Sequence, residues 1–243
     1  MKKGNRFKKT ILILLTTLLG LAIIHFIVFP QQTRCLLIDY SSFQKEGLLY
    51  FDPKTAKPYR DSLQTYIEKG RLRIIDFWGE QQCKPLFIYC SNKASFEKYG
   101  SPIPVPALTH IKQGARIVIS EEGVDQDIIA HELMHAELYQ RIGFYKWSFK
   151  IPRWFDEGLA MQSDYRNYYS EDTLKALSDN FKNLPDLRTL ETGAQFNSGS
   201  REKIMFNYMT AAHEIRKWYT KEKMDKFIKA MNAGKSFEES YNQ

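Results

Sequence analysis

Charge is missing from residues 10–29: past Thr10, only Thr16, Thr17, Gly20 and His25 dilute an apolar run. At helical rise, about twenty residues cross the hydrocarbon core of a bilayer, so the run predicts a transmembrane anchor. Net charge is also scarce elsewhere. Lys2, Lys3, Arg6, Lys8 and Lys9 supply five of the seven net positive charges, leaving +2 for the rest. That balance argues against a nucleic-acid partner, whose electrostatic footprint needs a basic face on the folded part. The basic tail instead predicts a cytoplasmic N-terminus, with the remainder outside the cytoplasm. A cleaved signal peptide is the competing reading. Its apolar region is normally shorter and followed by small residues, whereas Phe26-Ile27-Val28-Phe29-Pro30 is bulky. No internal repeat or low-complexity tract is present.

Cysteine is rare, with three in the chain. Thr33-Arg34 before Cys35 is not the small-residue pair of a lipid-attachment box. Residues 84–89 read as a strand, and seven extended steps from Cys83 to Cys90 cover about 23 Å. Bridged cysteines need alpha carbons within about 7 Å, so this pair cannot join if the strand forms. Cys35 with either partner, or three free thiols, stay open.

The pattern divides the chain into a basic tail (1–9), an anchor (10–29), a juxtamembrane and entry segment (30–82) and a folded domain (83–243). Residues 48–51 are a short strand or packing segment. Residues 61–69 fit a helix with Leu63, Tyr66 and Ile67 on one side and Gly70 as its stop. Residues 85–89 suit a buried strand, 93–99 a short helix ending at Gly100, 101–106 a proline-rich loop and 115–120 a second strand. Residues 124–141 form a long helix closed by Gly143. Further helices are expected over 154–163, over 171–182 behind Ser170, over 202–219 and over 221–232, with a last turn after Ser236. Residues 195–201 read as a mobile loop. The fold class is α+β: an N-terminal transmembrane helix, a small mixed sheet with the long helix packed on it, and a helical C-terminal half.

That long helix carries His131-Glu132-Leu133-Met134-His135, an H-E-x-x-H sequence. Positions four apart lie on one helix face, so the two imidazoles can hold one metal ion, with Glu132 beside it. A zinc site of this kind needs a third protein ligand and one open position. Trp154-Phe155-Asp156-Glu157-Gly158-Leu159-Ala160 offers Glu157, far enough downstream for the first helix to end and a second to return. Gly158 lets two helices approach closely.

Together, H-E-L-M-H and W-F-D-E-G-L-A resemble the gluzincin (thermolysin-like) zinc metallopeptidases, particularly small bacterial members. The likeness covers residues 83–243 and leaves out 31–82. It implies Zn2+ held by His131, His135 and Glu157. It implies that Glu132 is the general base that takes a proton from the metal-bound water attacking a scissile carbonyl. It implies a peptide or protein substrate laid against an edge strand, for which residues 115–120 are the candidate, with a plain interior strand as the alternative. Family members often place a tyrosine or histidine from later helices on the oxyanion; Tyr208 is the candidate here, with His213 behind it.

The family's aspartate one turn after the ligand glutamate is replaced by Met161, so Asp156, Asp164 or Asp127 is left to steady a zinc histidine. The expected activity is zinc-dependent peptide-bond hydrolysis outside the cytoplasm by a single-pass membrane protein, an endopeptidase in preference to an aminopeptidase. The alternative is a peptidase-like fold that holds zinc as a peptide-binding or regulatory module.

Overall fold

The structure, a computed structural model, describes residues 2–112 and 114–243, with side chains described from residue 8 onward. Lys2, Lys3 and Arg6 of the basic tail therefore have side chains outside the described residues. Helix α1 (Lys2–Val28) includes a span, Lys8–Val28, that is long and apolar enough to cross a membrane, with none of it buried inside the protein. A signal sequence meets the same description. Phe29 breaks the helix, and α2 (Pro30–Leu36) starts on the proline, where a missing N–H costs nothing.

Strands β1 (Gln44–Glu46) and β2 (Leu49–Phe51) form a hairpin. Next come α3 (Lys57–Trp78), β3 (Leu86–Tyr89), α4 (Lys93–Tyr99), β4 (Ala107–His110) and β5 (Arg116–Ile119). The five strands make one mixed sheet in the order β1-β2-β3-β5-β4. β2, β3 and β5 run parallel, while the outer strands β1 and β4 are antiparallel to their neighbours.

Period-two alternation divides the sheet's side chains between two cores. Leu49, Phe51, Phe87, Tyr89, Ile117 and Ile119 face a large core shared with α3 and α5 (Gln126–Ile142). Tyr50, Ile88 and Val118 face the opposite side, where Cys35 of α2 and Phe96 and Tyr99 of α4 cover them. The C-terminal part is helical: α6 (Phe144–Phe149), α7 (Arg153–Ala160), α8 (Glu171–Leu177), α9 (Gly193–Phe196), α10 (Arg201–Trp218), α11 (Lys221–Asn232) and α12 (Phe237–Tyr241). The chain is thus α+β, with an apolar N-terminal helix and a mixed sheet.

Several expectations need correcting. The helix expected over 61–69 runs the full length of α3, straight through Gly70. Gly70 is a contact point and not a stop: a Cβ there would meet Leu133 Cδ1 at 3.0 Å and the Ala130 backbone at 3.4 Å. Residues 30–82 contribute β1, β2 and α3, so the core runs unbroken across the expected boundary at 82/83. Strand β5 is interior, and the edge next to it is β4, which lies in a stretch given no strand from the sequence. The helix expected over 154–163 stops at Ala160, and that over 171–182 stops at Leu177. There Asp179, Asn180 and Phe181 adopt positive φ and turn the chain. The loop expected over 195–201 begins inside α9, which Thr192 and Gln195 start with a capping box. Cys35, Cys83 and Cys90 are free and buried.

Candidate metal centre and cleft

Helix α5 starts where the Asp125 side chain accepts hydrogen bonds from the N–H groups of Asp127 and Ile128. Every residue from Ile128 to Leu138 is buried, because the helix lies between the sheet, α3 and α7. A polar H-E-x-x-H segment in such a place must have its polar atoms satisfied. The same segment is held at its start by Arg73 of α3, which donates to Asp127 at 2.5 Å and to the Ser163 carbonyl at 2.7 Å.

Helix α7 brings Glu157 to the histidines. Its Phe155 is fully buried among Trp218, Phe227, Phe237 and Tyr241, with ring centroids 4.8–6.1 Å apart. Burying one such side chain contributes roughly 1.5–3 kcal/mol. Gly158 allows α7 to touch α10: a Cβ there would meet the Ala211 carbonyl oxygen at 2.5 Å and Ile215 Cγ1 at 2.9 Å.

His131 Nε2, His135 Nε2 and Glu157 Oε2 form a triangle with edges of 3.2, 3.2 and 3.4 Å. Three ligands of a tetrahedral ion at about 2.0–2.1 Å stand about 3.3 Å apart, so the donor spacing fits such an ion and leaves a fourth position open. Glu157 Oε2 is fully buried, yet no aligned hydrogen bond reaches it. A buried carboxylate oxygen without a donor is costly unless a cation serves it. The other oxygen, Oε1, pairs with Arg153 one turn earlier on α7. Burial by itself would raise the Glu157 carboxyl, but Arg153 and His135 hold it well below the ordinary carboxylate range. Burial likewise opposes a proton on His135, yet Asp156 and Glu157 raise it well above the ordinary histidine value.

Of the three aspartates considered for supporting a histidine, Asp156 takes the place. Its Oδ1 accepts from His135 Nδ1 at 2.9 Å and from Trp147 Nε1 at 3.0 Å, and its Oδ2 faces Arg153 at 3.2 Å. This fixes the ring with Nε2 turned to the triangle. Asp164 lies 3.9 Å from His131 Nδ1, beyond hydrogen-bond reach, and pairs with Arg166. Asp127 is engaged by Arg73.

The triangle forms part of the floor of a cleft of about 850 Å³. One wall is β4 with the loop before it; the other carries Arg166, Tyr169 and Tyr208. Glu132 faces this space, and its Oε2 accepts a 2.7 Å hydrogen bond from Thr109 of β4. Tyr208 lines the cleft with its ring centroid 6.3 Å from that of His131, and its hydroxyl has no hydrogen-bond partner among the described residues. Burial and the Glu157 charge raise its phenol well above the usual value, so it stays a donor. His213 is not brought to the cleft: it bonds Glu171 at 2.6 Å and stacks on Phe181.

Sequence reasoning missed Arg153, Trp147 and Thr109. Arg153 had a readable signal, since a cation four residues before an acid on a helix pairs with it. Thr109 and Trp147 had none, because their partners Glu132 and Asp156 lie on other elements, at no spacing that a single helix or strand would bring together. Compared with protein-family models, with curated proteins and with solved structures, the chain finds no match.

Proposed function

We propose that the chain is a zinc-dependent peptidase of the gluzincin kind, an endopeptidase held at the membrane by α1 with its cleft outside the cytoplasm. The observation that carries this reading is the donor triangle of His131, His135 and Glu157, spaced for a tetrahedral ion, with a carboxylate, Glu132, beside it on the cleft. A site that served structure alone would have no use for that carboxylate. Two imidazoles and one carboxylate suit zinc, which when bound would polarise a carbonyl and make water acidic near neutral pH.

The chain's own groups supply the rest. Thr109 occupies Glu132 Oε2 and leaves Oε1 to take a proton from the attacking water and deliver it to the departing amine. The Tyr208 hydroxyl, unbonded and kept protonated, donates to the oxygen that becomes negative. Strand β4 has one neighbour, so its free edge along the cleft is suited to pair with an extended peptide as an added strand. That role moves from the strand expected over 115–120 to β4.

The experiment is metal analysis and peptide cleavage by the wild type and Glu132→Gln. The expected result is about one zinc per chain in both proteins, with cleavage reduced by about 10²–10⁴-fold in the variant. Zinc bound without cleavage of any peptide library supports the binding-module reading instead. No bound metal refutes both.

A further inference from the structure

The anchor is fastened to the folded part by a short, stiff connection. Backbone bonds Phe29 N–H to His25 O at 2.8 Å and Thr33 N–H to Phe29 O at 3.0 Å carry the helical pattern across the break before Pro30. His25 Nδ1 and the Thr33 hydroxyl meet at 2.8 Å over the same joint. Helix α2 then lies on α4: Gln31 donates to the Glu97 carbonyl, Arg34 to that of Lys98 and Cys35 to that of Tyr99. The Tyr99 carbonyl also accepts from His110 Nε2 at 2.9 Å, so one oxygen joins α2, α4 and the end of β4.

A second tie is more direct. Lys112 Nζ lies 3.0 Å from the centre of the Phe29 ring, at the end of the apolar helix. Three residues before Lys112, Thr109 holds Glu132 at 2.7 Å. Three extended residues span at most about 11 Å, and with the lysine side chain the path from Phe29 to the Glu132 carboxylate is at most about 25 Å. Lys8–Val28 has 21 residues, enough for about 30 Å of hydrocarbon, which puts Phe29 at a bilayer surface.

We infer that the anchor holds the cleft at a fixed height of no more than about 25 Å above the bilayer, and that its substrates are membrane-proximal segments of polypeptides inserted in that same bilayer. The inference rests on the peptidase reading and on α1 remaining attached. A segment leaving the membrane in extended form covers the height in about seven or eight residues. Beyond that, a stretch on a stiff stalk passes out of reach, because the joint at Phe29 and the Tyr99 carbonyl leave the cleft no long tether. A soluble protein has no advantage at such a site, whereas a membrane-inserted one is confined to the same surface and meets β4 repeatedly.

The test uses the full chain in liposomes with zinc. Two membrane-inserted reporters carry the same scissile segment, one starting about eight residues outside the bilayer, the other beyond about thirty residues of polyproline, roughly 90 Å away. The same segment is also supplied as a free peptide. The near site is expected to be cut at least about tenfold faster than the far site. A helical insert of about fourteen residues between Phe29 and Pro30 raises the cleft by about 21 Å and should abolish the preference for the near site.

An independent readout is energy transfer from a dye at Ile103→Cys, on the cleft wall, to acceptors at the lipid surface. Strong transfer that falls with the insert supports the inference. Weak transfer in the uninserted chain overturns it. Equal cutting of near, far and free segments overturns it and leaves the peptidase reading standing. No cutting of any of the three, with transfer intact, removes the peptidase reading and the inference with it.

Discussion

Replacing Asp156 by asparagine removes a charge while keeping the side chain's size, so the outcome separates its charge and hydrogen bonds from its packing. The carboxylate accepts from His135 and Trp147 on one oxygen and faces Arg153 with the other, at 2.9, 3.0 and 3.2 Å. An asparagine can present its oxygen to one side only. With oxygen toward His135 and Trp147, its NH2 meets the Arg153 guanidinium; reversed, it opposes two N–H groups. Either arrangement sets donor against donor at a position 4 % exposed, where water offers little relief. Loss of a carboxylate behind a metal-binding histidine costs about 10–100-fold in metal affinity, or about 1.4–2.7 kcal/mol. The assay is competition for zinc against a chromophoric chelator, with circular dichroism and thermal melting of the metal-free proteins to establish that the fold is kept. A folded Asp156→Asn protein whose zinc dissociation constant stays within about twofold of the wild type refutes the assigned role.

Tyr208→Phe should lower kcat by about 10²–10³-fold with KM little changed, because the hydroxyl acts on charge that develops during reaction. Unchanged kcat in peptide-cleavage kinetics would remove Tyr208 from that role. Gly158→Ala should cost about 1–3 kcal/mol in urea unfolding, since its Cβ would meet the Ala211 carbonyl oxygen at 2.5 Å and α7 would have to move. An unchanged midpoint would contradict the close approach of α7 and α10. Burial pushes the thiols of Cys35, Cys83 and Cys90 up to about 12, so on the order of one in 10⁴ is thiolate at pH 8. The native protein should therefore resist a thiol reagent for as long as it stays folded and yield all three thiols in denaturant; rapid labelling of the folded chain would refute their burial.

The candidate metal-site residues were the most legible part of the sequence because their pattern is local. H-E-x-x-H sets two imidazoles on one helix face by spacing alone, and the aromatic pair before Glu157 marks a helix that must be buried. What was not legible depends on contacts between distant segments. Gly70 reads as a helix stop, yet its missing side chain is what lets α3 lie against Ala130 and Leu133. Ala107-Leu108-Thr109-His110 has little bulk and follows a proline-rich stretch, so its propensity does not announce β4. No local signal distinguishes an edge from an interior strand; the order β3-β5-β4 is a property of the whole sheet. The choice among Asp156, Asp164 and Asp127 was likewise decided by which helices meet. Asp127 and Asp164 are drawn off by Arg73 and Arg166.

The aromatic cluster behind Glu157 ties the candidate site to the far end of the chain. Phe155 and Trp154 of α7 pack on Phe237 and Tyr241 of α12, roughly eighty residues further along the chain. The sheet, by contrast, closes within residues 44–119, and α3 meets α5 soon after. Contacts so far apart in sequence carry a somewhat larger loop-closure cost, about 0.6 kcal/mol for each doubling of the loop. A partly folded chain with the sheet, α3 and α5 in place but α12 undocked would hold His131 and His135 on a packed helix, while the aromatic cluster behind Glu157 lacked Phe237 and Tyr241. The geometry of the third donor thus depends on the C-terminal residues of the chain, which supply none of the donors themselves.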